Sequence, residues 1–257
     1  MKTALLFSAL LQFACAAAVQ ATERLPRFTV GKAQVTLNAS GRNVAPVVKT
    51  AKYAFVVGAD VSCDFEENRL PVRAWSLPTL EWKTRRLPNG MQVEYERVLV
   101  TGPETNRITV GKCRTVIDFT DGAVRVRSVV WPQDPGRFRM RAGQPFRQSV
   151  SILVADWVGS EINTTDAAGN MRRTRFPSAK EYDRKSWNLN TGRYGSKITE
   201  IGTVGAVLRF VAGKSADFRV NRFRDGLGHE GCYVNADTMY VPPWDGPLEW
   251  EFAIEYR

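Results

Sequence analysis

Apolar and polar residues alternate along most of this chain with a period of two, and nowhere is a 3.6-residue period sustained between helix caps. The C-terminus shows it best. Leu248, Trp250, Phe252, Ile254 and Tyr256 fall on one face of an extended segment, and Glu249, Glu251, Glu255 and Arg257 on the other. The apolar face is unbroken, so the glutamates read as a solvated outer row. A second case is Lys112 to Trp131: Cys113, Thr115, Ile117 and Phe119 alternate inward, Asp121-Gly122 turns the chain, and Val124 and Val126 resume the pattern. Asp-Gly between alternating runs predicts a hairpin with a type I′ turn, which needs positive φ at both central residues. Further strands are predicted at 27–37, 52–57, 91–100, 148–158, 198–211, 217–223 and 232–240. Leu87-Pro88-Asn89-Gly90, Asp134-Pro135-Gly136, Ala168-Gly169-Asn170 and Pro242-Pro243-Trp244-Asp245-Gly246 punctuate them. Many short strands without crossover helices predict an all-β fold: a two-sheet antiparallel β-sandwich of jelly-roll or supersandwich type with long basic loops.

The N-terminus changes the picture by adding a compartment. Lys2 precedes an apolar run from Ala4 to about Val19, and Val19-Gln20-Ala21 fits a small-x-small cleavage site. That order predicts a signal peptide over 1–21 and an exported protein, periplasmic or extracellular. Cys15 lies in the run, but Gln12-Phe13-Ala14 before it does not suit lipid attachment. No second apolar stretch is long enough for a membrane span, so no transmembrane segment is expected. Residues 22–257 fit one β-sandwich domain.

Charge and cysteines come next. Thirty-six Lys and Arg against 26 Asp and Glu give +10, which falls to +9 when Lys2 leaves with the leader. Cys63, Cys113 and Cys232 allow at most one disulfide after export, and Cys63–Cys113 is the favoured pairing because both sit at the edges of predicted strands. There is no CxxC and a single histidine, His229, so neither a metal site nor a cofactor is expected.

Basic residues concentrate in two stretches that break the strand rhythm. Residues 136–147 carry Arg137, Arg139, Arg141 and Arg147 without an acid. Residues 171–197 carry Arg172, Arg173, Arg175, Lys180, Arg184, Lys185, Arg193 and Lys197 against Glu181 and Asp183, interleaved with Phe176, Tyr182, Trp187 and Tyr194. Arginine forks match carboxylate or sulfate groups, and aromatic faces stack on sugar rings. Arg172, Arg173, Arg175, Tyr182, Arg184, Trp187 and Tyr194 are therefore candidate ligand-binding residues for a polysaccharide or other anionic glycan. Nucleic acid would satisfy the charge equally, but the export signal argues against it. The plainer alternative is that the charges only solvate a long loop. Trp187 is a better stacking candidate than Trp244, since Pro-Pro-Trp can equally plug the end of a sandwich.

Catalysis has one weak focus. In Asp225-Gly226-Leu227-Gly228-His229-Glu230-Gly231, His229 meets carboxylates, and with Tyr233 it could move protons in uronate elimination or sugar epimerisation. A glycine-rich turn is the simpler reading. There is no GxSxG elbow and no diagnostic carboxylate pair.

The export signal, the alternating strands, the loop aromatics and the closing run from Pro242 to Phe252 resemble the β-sandwich domains of bacterial polysaccharide-utilisation proteins, including galactose-mutarotase-like supersandwiches and carbohydrate-binding modules. The resemblance implies a sugar-related protein and carries over no catalytic residue. Three functions follow: an exported carbohydrate-binding protein for an anionic polysaccharide; a polysaccharide lyase or sugar epimerase using His229; or a non-enzymatic envelope interaction or assembly protein.

Overall fold

The computed structural model describes residues 27–40, 43–52, 54–67, 70–77, 82–137, 139–140, 146–153, 160–175, 195–203, 206–224, 230–238 and 244–256. Among them are 18 strands and no helix, and every pairing is antiparallel. This is the all-β, two-sheet sandwich that the alternation predicts.

The first sheet runs in the spatial order β1 (Arg27–Val30), β2 (Ala33–Ser40), β3 (Asn43–Lys49), β4 (Ala54–Glu67), β11 (Arg147–Leu153), β17 (Glu230–Thr238), β16 (Ala216–Arg224). A two-residue strand, β10 (Arg139–Met140), joins the far end of β4. The second sheet runs β7 (Gly90–Thr101), β8 (Ile108–Thr120), β9 (Ala123–Pro132), β18 (Leu248–Tyr256), β15 (Ala206–Ala212), β14 (Ile198–Thr203), β12 (Glu161–Thr165), β13 (Met171–Arg175). On the free edge of β7 sit β6 (Lys83–Leu87) and β5 (Leu70–Ser76), one behind the other. Because β5 also pairs with β4, hydrogen bonding is continuous from one sheet to the other. On the opposite side Ser196 bridges Phe218 of β16 just before β14 begins. The sandwich is thus stapled along both long sides.

Between the sheets, Phe55, Phe119, Phe210, Phe218, Trp250 and Phe252 are fully buried. Phe28 meets Phe119 edge-on at 5.5 Å, so the β1–β2 hairpin packs over the tip of β8–β9. One end is closed by Trp244, which is 0% exposed and lies edge-on to Phe146 at 4.9 Å. A Cβ at Gly111 would come within 2.6 Å of its indole, so only glycine leaves room there. Trp244 is the plug, not an exposed platform.

A polar relay crosses this apolar interior. Gln148 donates from Nε2 to the carbonyl of Gly58 at 3.0 Å, which turns its Oε1 toward Ser128. Ser128 spends its one proton on that oxygen at 2.8 Å, so Thr115, 3.0 Å away, must donate to Ser128. The thiol of Cys113 lies 3.8 Å behind Thr115. The relay ties β8 and β9 to β11 and β4, and its buried members are satisfied, as burial demands.

Several expectations are corrected. Residues 27–37 form a hairpin, because Gly31 takes φ +54° and reverses the chain. Residues 198–211 are likewise split into β14 and β15. At Asp121-Gly122 only Gly122 has positive φ (75°), so the turn is not type I′. The Asp121 carboxylate is seated against Gly31, where a Cβ would collide with it. Met171–Arg175 is not loop but a strand paired to β12. Cys63 and Cys113 are not bonded to each other; both are buried, and burial pushes the Cys113 thiol up to about 12.

Candidate functional site

The face of the first sheet turned away from the core should be a plain solvated row. It is not. Strand parity puts Phe218, Val220, Val234, Ala236, Val150 and Ile152 in the core. Arg147, Ser149, Asn235, Asp237, Asp217 and Arg219 point the other way, in neighbouring register: Arg147 opposite Asp237, Asp237 opposite Asp217, Ser149 opposite Asn235 and Asn235 opposite Arg219. Asp237 accepts from Arg147 Nε at 3.1 Å on one oxygen, and its other oxygen forms an ion pair with Arg219 Nε at 2.6 Å without hydrogen-bond geometry. Its side chain is only 3% exposed. Asp217 pairs with Lys197 Nζ at 2.5 Å, and that ammonium also donates to the carbonyl of Ala216 at 2.7 Å. Ser149 donates to Asn235 at 2.6 Å.

Burial pushes the carboxyl of Asp237 up, against the pull of Arg147 and Arg219, and Asp217 beside it adds to the rise. Burial likewise raises Asp217, with Lys197 opposing. Three cations face two carboxylates, so the ionised cluster carries one positive charge in excess. A bulge in β4 borders it. Gln148 pairs with Val61 and Val150 with Val57, which leaves three residues of β4 opposite Ser149. A Cβ at Gly58 would sit 1.8 Å from the Ser149 carbonyl oxygen, so the close approach requires glycine.

The candidates from the sequence scatter around this cluster. Arg172, Arg173 and Arg175 lie on the edge strand β13, where alternation sends Arg172 to the face opposite Arg173 and Arg175. Arg173 is engaged by Glu161 at 3.2 Å. Arg172 pairs with Thr164, which pairs with Thr199, two residues beyond Lys197; it therefore lies at the cluster's end of the molecule. Tyr182, Arg184, Trp187, Tyr194 and His229 lie outside the described residues, as does the leader 1–21. Gly195, the first described residue after that basic segment, lies against Asp217 and Phe218. Tyr233 belongs to β17, opposite Ser151 and Asn221. Glu230, next to His229, is seven residues from Asp237, roughly 23 Å along the strand.

Among the described residues no group of His, Cys, Asp and Glu could hold a metal ion, and no helix is long and apolar enough to cross a membrane. Sequence reasoning missed Asp217, Arg219, Asn235 and Asp237. The signal was present as polar residues alternating with Val234 and Ala236, but alternation alone also describes a solvated face.

No family model and no curated protein matches the sequence. Among solved structures, a galactose mutarotase related enzyme from Lactobacillus acidophilus is similar at TM-score 0.51 and 7% identity, over 91% of this chain and 97% of that one. The α-N-acetylgalactosaminidase of Bifidobacterium bifidum in its GalNAc complex is similar at TM-score 0.52 and 9% identity, over 91% of this chain; its ligand-free form gives 0.50 and 8%. The chain spans 36% of the length of that glycosidase. At these identities what is shared is architecture: the chain has the antiparallel β-sandwich fold that these structures also contain.

Proposed function

We propose that this is an exported carbohydrate-binding protein whose ligand, an anionic glycan, docks on the outer face of β11, β17 and β16. The observation that carries the reading is the buried Asp237 carboxylate between the partly exposed Arg147 and Arg219, with the Asp217–Lys197 pair beside it. Burying charges on the side of a sheet away from the core is costly, and a solvated row would serve folding better. The excess positive charge suits a sugar carboxylate or sulfate, and the Ser149–Asn235 pair offers hydroxyl-matching groups beside it. The fold shared with carbohydrate-active proteins supports a sugar over other anions. Tyr182, Arg184, Trp187 and Tyr194 are its proposed aromatic and basic contacts, as the sequence suggests.

The test is retention of the mature protein in gels containing uronate or neutral polysaccharide, at two salt concentrations. Salt-resistant retention on one uronate polymer, lowered about tenfold or more in both Arg147→Gln and Trp187→Ala, is expected. Weak retention on every polyanion that vanishes with salt would reduce the cluster to surface charge. The same samples, followed by NMR for anomer exchange or uronate elimination, test the alternative in which His229 and Tyr233 make it an epimerase or lyase.

A further inference from the structure

The outer face of the second sheet carries a row unlike its neighbours. Val98 pairs with Lys112 and Lys112 with Trp131, so the three share one face across β7, β8 and β9. Val98 is 39% and Trp131 37% exposed, and Trp131 is the one aromatic among the exposed large hydrophobics of the described residues. Lys112 is exposed and belongs to no ion pair among the described residues. Elsewhere the same face carries cross-strand pairs, Arg114 with Glu94, Arg127 with Asp118 and Arg209 with Glu200 and Glu255, and Lys214 reaches Glu249. One row thus combines an aromatic face, an ammonium one strand away with no ion pair among the described residues, and an aliphatic flank beyond it.

We propose that the Val98–Lys112–Trp131 row is a second glycan subsite, taking one acidic sugar ring of a polysaccharide with Trp131 as stacking platform and Lys112 as counter-ion for its carboxylate or sulfate. The proposal rests on the acidic-glycan reading above and adds a contact on the opposite sheet. Adjacent strands lie about 4.8 Å apart, so a ring seated on Trp131 brings a ring substituent over Lys112, and the row spans roughly 10 Å in all. A protein partner fits poorly. A stable protein interface needs about 800 Å² per side, which here would extend over the flanking Arg114–Glu94 and Lys214–Glu249 pairs and desolvate them. A single sugar ring covers the row and leaves those pairs in water.

Trp131 is exposed, so replacing it leaves the core intact. In affinity gels containing polygalacturonate, Trp131→Ala is expected to weaken retention about three- to tenfold, the range expected for one aromatic stacking contact, and Trp131→Phe to restore most of it. Lys112→Gln should weaken retention at low salt more than at high salt, as loss of a screened charge contact requires. Monomeric galacturonate, titrated by NMR against the Arg147 cluster, should bind Trp131→Ala and the parent protein alike. Polymer retention unchanged by Trp131→Ala but lost in Arg147→Gln overturns the second subsite and keeps the first. Retention lost in Trp131→Ala and kept in Arg147→Gln supports the Trp131 row and removes the cluster as a ligand site. A parent protein indifferent to the polymer overturns both.

Discussion

The outer faces of the two sheets carry charge in two different ways. On the second sheet, arginines and carboxylates stand opposite one another on neighbouring strands, as with Arg209 between Glu200 and Glu255, and each partner keeps about a third of its side chain in water. On the first sheet the carboxylate of Asp237 is removed from water and shared by two arginines. The backbone geometry is the same antiparallel ladder in both. What differs is burial, and burial decides how much a charge is worth. An exposed pair contributes about 0 to 1 kcal/mol, whereas removing one partner from a buried cluster strands the others. The same residue types therefore make a solvated coat on one side and a committed polar site on the other.

The sharpest way to break the comparison is Asp237→Ala. It removes the one carboxylate that contacts both Arg147 and Arg219, leaving only Asp217 nearby, and should cost about 3 kcal/mol by urea denaturation. A loss below about 1 kcal/mol would make the cluster equivalent to the coat. Next comes Gln148→Leu, which should cost about 2 kcal/mol because the Gly58 carbonyl and the Ser128 hydroxyl lose their partner inside the core.

Acid titration separates the faces by sign. Asp237 and Asp217 are raised, so the folded protein holds their protons to higher pH than the unfolded chain does. Their contribution to stability is complete below about pH 4 and is lost as pH rises through the folded values. Glu94 is lowered, first by its hydrogen bond from Arg114, so its contribution is present above about pH 4.5 and is lost as pH falls through the folded value. Urea midpoints between pH 3 and 8 should show that Asp217→Asn with Asp237→Asn removes a gain in stability on acidification. Glu94→Gln should remove a loss. The smallest effect belongs to Arg209→Ala, expected below about 1 kcal/mol by thermal melting.

How much of this was legible follows from what alternation encodes. The strands β8, β9 and β18 were readable because every second residue enters the core. Others were not, and two show why. Asn43–Lys49 is an apolar run interrupted by Pro46, with no clean alternation, and β6, Lys-Thr-Arg-Arg-Leu, is an exposed edge with no buried face to write a pattern. The site was illegible for another reason. Arg147 and Asp237 are 90 residues apart and meet only because β11 pairs with β17 at one register. The basic segments drew attention by density of charge, but the page of sequence does not say which arginine finds a buried carboxylate. Trp244 shows the converse: a loop tryptophan open to two readings proves to be the plug, because Gly111 provides its seat.

Phe146 gives the site an optical readout. It stacks near-parallel on Trp250 at 6.3 Å and meets Trp244 edge-on, while its backbone is bonded to Thr238. Phe146 directly precedes Arg147, and Thr238 directly follows Asp237. Two fully buried indoles in an asymmetric setting are thus coupled to the backbone that holds the charge cluster. Near-ultraviolet circular dichroism of the unlabelled protein becomes a spectroscopic gauge of that region, able to register occupancy of the cluster without any attached dye.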